Sequence, residues 1–274
     1  MKAQAIECPG SSVWLEHCLG IPRRGRGRGF ESRPGLHLDV EVSLLSVEEA
    51  KLRAAKAAVN EVSDGSILGL GTGSTVEYFA KLLGEAVKRG LRVEVVPTSY
   101  HSVQMAIENG LKLTPLELVD HIDLVVDGAD EVDPSLNMIK GRGAALAKEK
   151  VVASMAERRV YVVSYDKLVE KLGVSKPLPV EVLPFAYRYA MKTLSRMGCK
   201  PELRMAGRFK DGPLVTDNGN FILDCYFNGI DDPQRLEVEV KRIPGVVEVG
   251  LFCGLADVVY VGKPDGVDVL RRVK

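Results

Sequence analysis

Ile122-Asp-Leu-Val-Val-Asp127-Gly-Ala-Asp130-Glu-Val-Asp133 opens as an apolar, β-branched run and ends in a cluster of carboxylates. The run reads as a buried strand, since β-branched residues favour extended backbone and lack a helical period here. Unpaired charge at the end of a buried strand is costly, so Asp127 and Asp130 point to function rather than packing. Lys140-Gly-Arg-Gly143 and an Ala-rich helix bearing Glu149 follow within a few residues. Acid, cation and backbone donors are thereby gathered for a small polar substrate. Spacing alone leaves open a divalent-metal reading for Asp127, Asp130, Glu131 and Asp133.

Working outward, strands alternate with helices. The expected order is helix 47–62, strand 67–70, helix 75–88, strand 92–96, helix 102–109, short strand 112–115, strand 122–126, helix 143–158 and strand 160–164. Ser46 is the expected N-cap of the first helix, with Glu48 and Glu49 in its first turn. That alternation predicts βαβ units in a mainly parallel, Rossmann-like sheet with helices on both faces. After Gly173 the pattern becomes strand 180–184, helix 186–197, strands 201–205 and 220–227, helix 233–242 and strand 246–253. This β-α-β-β-α-β order is the ferredoxin-like unit. Strand 258–261 is expected to return to the first sheet. The chain therefore divides into a catalytic α/β domain, 43–174 with 254–274, and a smaller inserted α+β domain, 175–253. Residues 1–42, with the arginine–glycine alternation Arg23 to Gly29, show no periodicity and read as a disordered or mis-annotated extension, translation near Val42 being the alternative start.

Bulk composition narrows the classes. Lysine plus arginine and aspartate plus glutamate number 37 each in 274 residues, so no global field favours nucleic acid or an anionic membrane. No apolar run approaches the roughly 20 residues of a membrane span. Five scattered cysteines without Cys-x-x-Cys spacing argue against a disulfide framework or zinc site and for a cytoplasmic setting.

In an open parallel sheet, ligands bind beyond the carboxyl ends of the strands. Four expected strands end in Thr72–Thr75, Thr98–Ser99, Asp127–Asp130 and Asp166–Lys167. In Gly69-Leu-Gly-Thr-Gly-Ser-Thr75, Gly71 and Gly73 let backbone approach an anion at a helix N-terminus. The loop lacks the third glycine of a dinucleotide fingerprint and the lysine of a P-loop, which leaves a single-phosphate cradle. Glu149 sits at helical spacing among Ala145, Leu146, Val152 and Ala153, so its carboxylate is expected to be partly desolvated. Lys148 has equally apolar neighbours, and the pattern alone does not single Glu149 out. Of the histidines, His121 reads as a surface residue and His101 as structural, leaving a carboxylate as the better base.

These segments, with Thr98-Ser-Tyr100, Ile139-Lys-Gly-Arg-Gly-Ala-Ala-Leu-Ala-Lys-Glu-Lys150, Lys176-Pro-Leu-Pro-Val-Glu-Val-Leu-Pro184 and Asn218-Gly-Asn-Phe-Ile-Leu-Asp224, resemble the A-type ribose-5-phosphate isomerases from about Ser46 to the C-terminus. The resemblance implies interconversion of ribose 5-phosphate and ribulose 5-phosphate through an enediol, without metal or other cofactor. Glu149 stands at the general base and Lys140 where enediolate charge is stabilised. Asp127 and Asp130 stand where sugar hydroxyls bind, with Asp127 suited to ring opening. Gly128 and Ala129 line the same loop, and Gly141 and Gly143 supply backbone donors. Thr72, Gly73, Ser74, Thr75 and Lys167 match phosphate-binding positions, with Lys51 beside them. Two departures are Arg142, where many relatives have glycine, and Ser164-Tyr-Asp-Lys167 for Asp-x-Ser-Lys. The implied partner is a small-molecule sugar phosphate, with no nucleic acid or membrane, in a homodimer or homotetramer. Competing readings are another sugar-phosphate isomerase, an aminosugar-phosphate deaminase, or a phosphosugar-sensing regulator, for which the first 45 residues show no helix-turn-helix.

Overall fold

The structure is a computed structural model describing residues 35–208 and 210–272; of 35–45 only the backbone path is described. Residues 1–34, and the arginine–glycine run with them, lie outside the described residues. Residues Glu41–Lys274 form one compact unit.

Helix α1 (Gly35–Val59) leads to strand β1 (Ser66–Leu70), helix α2 (Ser74–Lys88), strand β2 (Val93–Pro97), helix α3 (Tyr100–Glu108) and strand β3 (Lys112–Leu113). Strand β4 (Ile122–Asp127) is followed by two-residue strands β5 (Glu131–Val132) and β6 (Met138–Ile139), helix α4 (Leu146–Met155) and strand β7 (Ala156–Ser164). The next six elements are β8 (Leu178–Val182), α5 (Tyr187–Arg196), β9 (Lys200–Leu203), β10 (Phe221–Tyr226), α6 (Pro233–Lys241) and β11 (Val246–Val249). Strands β12 (Leu251–Phe252), β13 (Val258–Gly262) and β14 (Val267–Arg271) close the fold.

The large sheet has the order β14-β13-β7-β4-β1-β2-β3. All its pairings are parallel except β13 with the edge strand β14. Alternate side chains explain its two faces. Leu68, Leu70, Leu124, Val126, Val160, Val162, Val258 and Tyr260 pack against α1, α2 and α3. The opposite face meets α4 through Val96, Ile122 and Val125, and meets β5, β6 and β12 through Tyr161, Val163, Val259 and Val261. Both faces are buried, as parallel sheets require. A second, antiparallel sheet has the order β11-β8-β10-β9, the ferredoxin-like arrangement. The fold is thus α/β with an added α+β layer, and β13 returns to the first sheet as expected.

Several boundaries differ from expectation, and four of the differences have a plain physical reason. Helix α1 starts at Gly35 rather than Val47, so Ser46 lies within it and is not its N-cap; no glycine or proline between Leu36 and Ser46 interrupts the helix. Helix α4 begins at Leu146 rather than Gly143, because Ala144 has a φ of 59° that no α-helix accommodates. It stops at Met155 because Ala156 already pairs with Ile122 of β4, and sheet pairing outweighs helix propensity there. The expected strand 246–253 is two strands in two sheets, split at Gly250. There the backbone hands over: Gly250 donates its N–H to the Pro179 carbonyl (2.7 Å) and accepts from the Lys140 N–H (2.8 Å).

Candidate active site

From β1 the chain runs through α2 to β2 and β3 on one side, whereas β4 and β7 lie on the other. The β1/β4 boundary is therefore the switch point, where a crevice opens beyond the strand ends. A cavity of about 600 Å³ lies there. The loop after β1 and the end of β4 are stitched together: Gly71 donates to the Val126 carbonyl (2.9 Å) and Thr72 N–H to Asp127 Oδ1 (3.1 Å). A Cβ on Gly71 would lie 2.0 Å from Asp127 Oδ1, so only glycine permits this approach. The Gly128 N–H also donates to Asp127 Oδ1 (2.7 Å).

One wall is the first turn of α2. Thr72, Gly73, Ser74 and Thr75 line the cavity with Lys51 and Lys167. First-turn amides have no intrahelical partner and carry the positive end of the helix dipole, which suits an anion. The Thr72 hydroxyl is tied to the Thr98 (3.2 Å) and Ser99 (2.7 Å) hydroxyls, so its side chain braces the loop. Lys51 is paired with Glu48 (2.6 Å) and Lys167 with Asp166 (2.9 Å), both at the surface of the crevice.

The floor is an ion cluster. Lys140, 3% exposed, sits 2.9 Å from Asp127 Oδ2 and 3.1 Å from Glu149 Oε2, and donates to the Gly128 carbonyl at 2.6 Å. The rings of Tyr161 and Phe252 flank its ammonium at 5.7 and 5.3 Å. Burial works against that charge, but Asp127 and Glu149 outweigh it and hold the ammonium above its usual range. Glu149 is likewise 3% exposed. Its Oε2 meets the Lys140 ammonium as an ion pair and no other donor among the described residues. Burial, then the Asp127 charge, pushes the Glu149 carboxyl up to about 8.

Glu149, Lys140, Gly128, Ala129, Asp130, Gly141, Arg142, Gly143, Thr72–Thr75 and Lys167 all line this one cavity. Asp127 does not: it is 1% exposed and lies beneath the loop it holds. Expected to meet sugar hydroxyls and assist ring opening, it has its oxygens on Thr72, Gly128 and Lys140. Asp130 does line the cavity, and its Oδ2 accepts the Arg142 N–H (3.0 Å). The four acids weighed as metal ligands diverge. Glu131 accepts from Gly173, Ser175 and Lys176, and Asp133 turns to Asn137. Among the described residues no group of three or more potential ligands converges. His101, which the sequence suggests is structural, lines the cavity rim 3.5 Å from Glu77. His121 is at the surface beside Asp123.

A helix N-terminus suited to an anion, facing a buried acid–ammonium pair across one cavity, gives this α/β fold the makings of an enzyme site for a small polar substrate. The family model for ribose 5-phosphate isomerase A matches residues 94–266. Ribose-5-phosphate isomerase A of Pyrococcus abyssi is 50% identical over 230 residues, covering 83% of this chain and 100% of that protein. Its counterpart in Methanothermobacter thermautotrophicus is 51% identical over 222 residues, 81% and 97% of the two chains. Among solved structures, ribose 5-phosphate isomerase A of Methanocaldococcus jannaschii superposes with a TM-score of 0.79 at 43% identity, over 82% of this chain and all of that one. A D-ribose-5-phosphate isomerase in complex with phospho-erythronic acid gives 0.81 at 50% identity, over 82% and 99%. The chain belongs to the ribose-5-phosphate isomerase A family and is an enzyme, an isomerase.

Proposed function

We propose that the enzyme interconverts D-ribose 5-phosphate and D-ribulose 5-phosphate through an enediol, with Glu149 as general base. The observation that carries the reading is the buried Oε2 of Glu149, held only by its ion pair with Lys140 and facing the anion-suited turn across one cavity. The substrate phosphate sits at Thr72–Thr75 with Lys167 and Lys51, and Asp130 meets sugar hydroxyls. Glu149 takes the proton from C2 of the open-chain aldose and returns it to C1, while the carbonyl oxygen on C1 becomes a hydroxyl and the C2 hydroxyl a carbonyl. A carbon acid beside a carbonyl is weak, so the oxygen that becomes negative must be stabilised; Lys140 supplies the cation, and Gly141 and Gly143 supply backbone donors. Asp127 holds Lys140 at that spot. A positioned base contributes about 10²–10⁴-fold. The phosphate binding energy holds the sugar in register.

The proposal includes a cytoplasmic, homo-oligomeric enzyme of the non-oxidative pentose phosphate branch. It also includes a catalytic domain of residues 43–174 and 254–274, braced by a smaller domain, 175–253. The test is conversion of ribose 5-phosphate in excess EDTA, with Glu149→Gln alongside. Wild-type turnover with about 10²–10⁴-fold loss of kcat in the variant is the expected result. An active Glu149→Gln removes this base from the mechanism. Turnover abolished by EDTA makes the reaction metal-dependent, and release of ammonia from an aminosugar phosphate makes the enzyme a deaminase.

A further inference from the structure

Between Lys140 and α4 the chain makes a strained turn. Gly141 has a φ of 108° and Ala144, which carries a Cβ, a φ of 59°. A non-glycine residue stays in that region only where its surroundings over-determine it. Two side chains grip the turn from opposite sides. Asp130 Oδ2 accepts the Arg142 N–H. Arg204, just beyond β9 in the second layer, donates through one Nη1 to the carbonyls of both Gly141 (3.0 Å) and Arg142 (3.0 Å). Arg204 is itself held at two points by Asp224 of β10, with Nε to Oδ2 at 2.8 Å and Nη2 to Oδ1. Both side chains are 15% exposed. Asp224 ends the Asn218–Asp224 motif, to which no part of the proposed reaction assigns a role.

A trans peptide points its N–H and C=O in opposite directions, and the described backbone contains no cis peptide bond. With the Gly141 carbonyl turned to Arg204, the Arg142 N–H faces away, onto Asp130. With the Arg142 carbonyl taken by the same guanidinium, the Gly143 N–H must also turn away from Arg204. Gly143 lines the cavity, and its N–H meets no protein acceptor among the described residues.

We propose that Arg204, locked by Asp224, is a positioning residue that aims the Gly143 N–H at the substrate oxygen that becomes negative on enolisation. The inference rests on the enediol reading above. A donor aimed at developing charge binds the transition state better than the ground state, so its misalignment lowers kcat more than it raises KM. A brace that merely held the second layer in place would lower thermal stability and leave this ratio unchanged.

The test uses full-length Arg204→Ala, Arg204→Lys and Asp224→Asn, each with kcat, KM, melting temperature and inhibition by two probes. The probes are inorganic phosphate, which reports the cradle, and phospho-erythronic acid, whose carboxylate mimics the enediolate oxygens. Arg204→Ala should lose about 10- to 100-fold in kcat, somewhat under the 10²–10³ of deleting an oxyanion donor outright, with KM within about threefold. Arg204→Lys keeps the charge but has a single head for two carbonyls and an aspartate, so it should fall between Arg204→Ala and wild type. Inhibition by phospho-erythronic acid should weaken in step with kcat, while inhibition by phosphate stays unchanged. Folded variants with wild-type kcat would overturn the assignment. So would equal weakening of both probes, or unfolding of all three variants, since either makes the pair a structural brace. Absence of isomerisation by the wild type is a separate outcome, which removes the enediol reading itself.

Discussion

One ammonium serves two carboxylates at the floor of the cavity, and they are not served equally. Asp127 collects two backbone N–H donors besides Lys140, whereas Glu149 Oε2 meets Lys140 and no other donor among the described residues. Burial and the neighbouring Asp127 charge raise the Glu149 carboxyl to about 8. Two consequences of opposite sign follow. A base works only when unprotonated, so kcat/KM should rise with pH through neutrality and level off above about 8. For stability, the folded state binds a proton that the unfolded chain, with its carboxyl near 4.5, has released. This contribution is fully present below 4.5 and is lost as pH rises through about 8. Glu149→Gln removes that slope, so its melting temperature should gain on the wild type between pH 5 and pH 9. Paired melting curves check this, and parallel pH dependences would rule out the raised pKa. Part of this residue's environment was legible: the apolar neighbours of Glu149 predicted desolvation, but those of Lys148 did so equally. Only the angular placement of α4 decides between them, leaving Glu149 buried and Lys148 half-exposed.

At the scale of elements, the long strands and amphipathic helices were readable because burial imposes a period on them. The buried β4 and its acidic end lie where the apolar run and its carboxylates indicated. Strands β5, β6 and β12 have two residues each, too few to show any period, and the pairing of β6 with β12 joins segments far apart in the chain. Yet β6 and β12 deliver Lys140 to the floor of the site. The turn into α2 was legible for the opposite reason, since glycine and hydroxyl residues at a strand-to-helix junction carry a local signal. Lys167 sits on the turn after β7 at the cradle's edge, its side chain 24% exposed and paired with Asp166. Its expected part is binding rather than chemistry. Lys167→Ala should raise KM for ribose 5-phosphate by about tenfold, roughly one charge-assisted hydrogen bond, with kcat nearly unchanged. Turnover of unphosphorylated D-ribose should be the same in both proteins. A kcat loss as large as the KM rise would place this lysine at the reacting carbons instead.

At the scale of the whole molecule, the second layer reaches the site through contacts that no local pattern announces. Arg204 grips the Gly141–Arg142 turn, and Asp217 accepts the Tyr100 N–H at the start of α3 (2.8 Å). Glu131 makes a third connection. It is 1% exposed and accepts from Gly173 N–H (2.7 Å), Ser175 N–H (3.2 Å), Ser175 Oγ (2.5 Å) and Lys176 N–H (2.7 Å). One carboxylate on β5 thereby satisfies the backbone of the segment that leads into β8. In the sequence it read only as one more acid of the Asp127–Asp133 cluster and a possible metal ligand, because its donors lie more than 40 residues away. A carboxylate only accepts, so it suits a nest of donors; an amide of the same shape brings an NH₂ group against them. Glu131→Gln should therefore cost about 3 kcal/mol, the order of one charged hydrogen bond lost plus a buried donor left unsatisfied. For a domain of this size that corresponds to a fall of about 6–12 °C in melting temperature. Because Glu131 faces away from the cavity, the KM of the folded variant should match the wild type. Calorimetry with steady-state kinetics below the transition checks both halves, and an unchanged melting temperature would show that the link between the layers is held by other contacts.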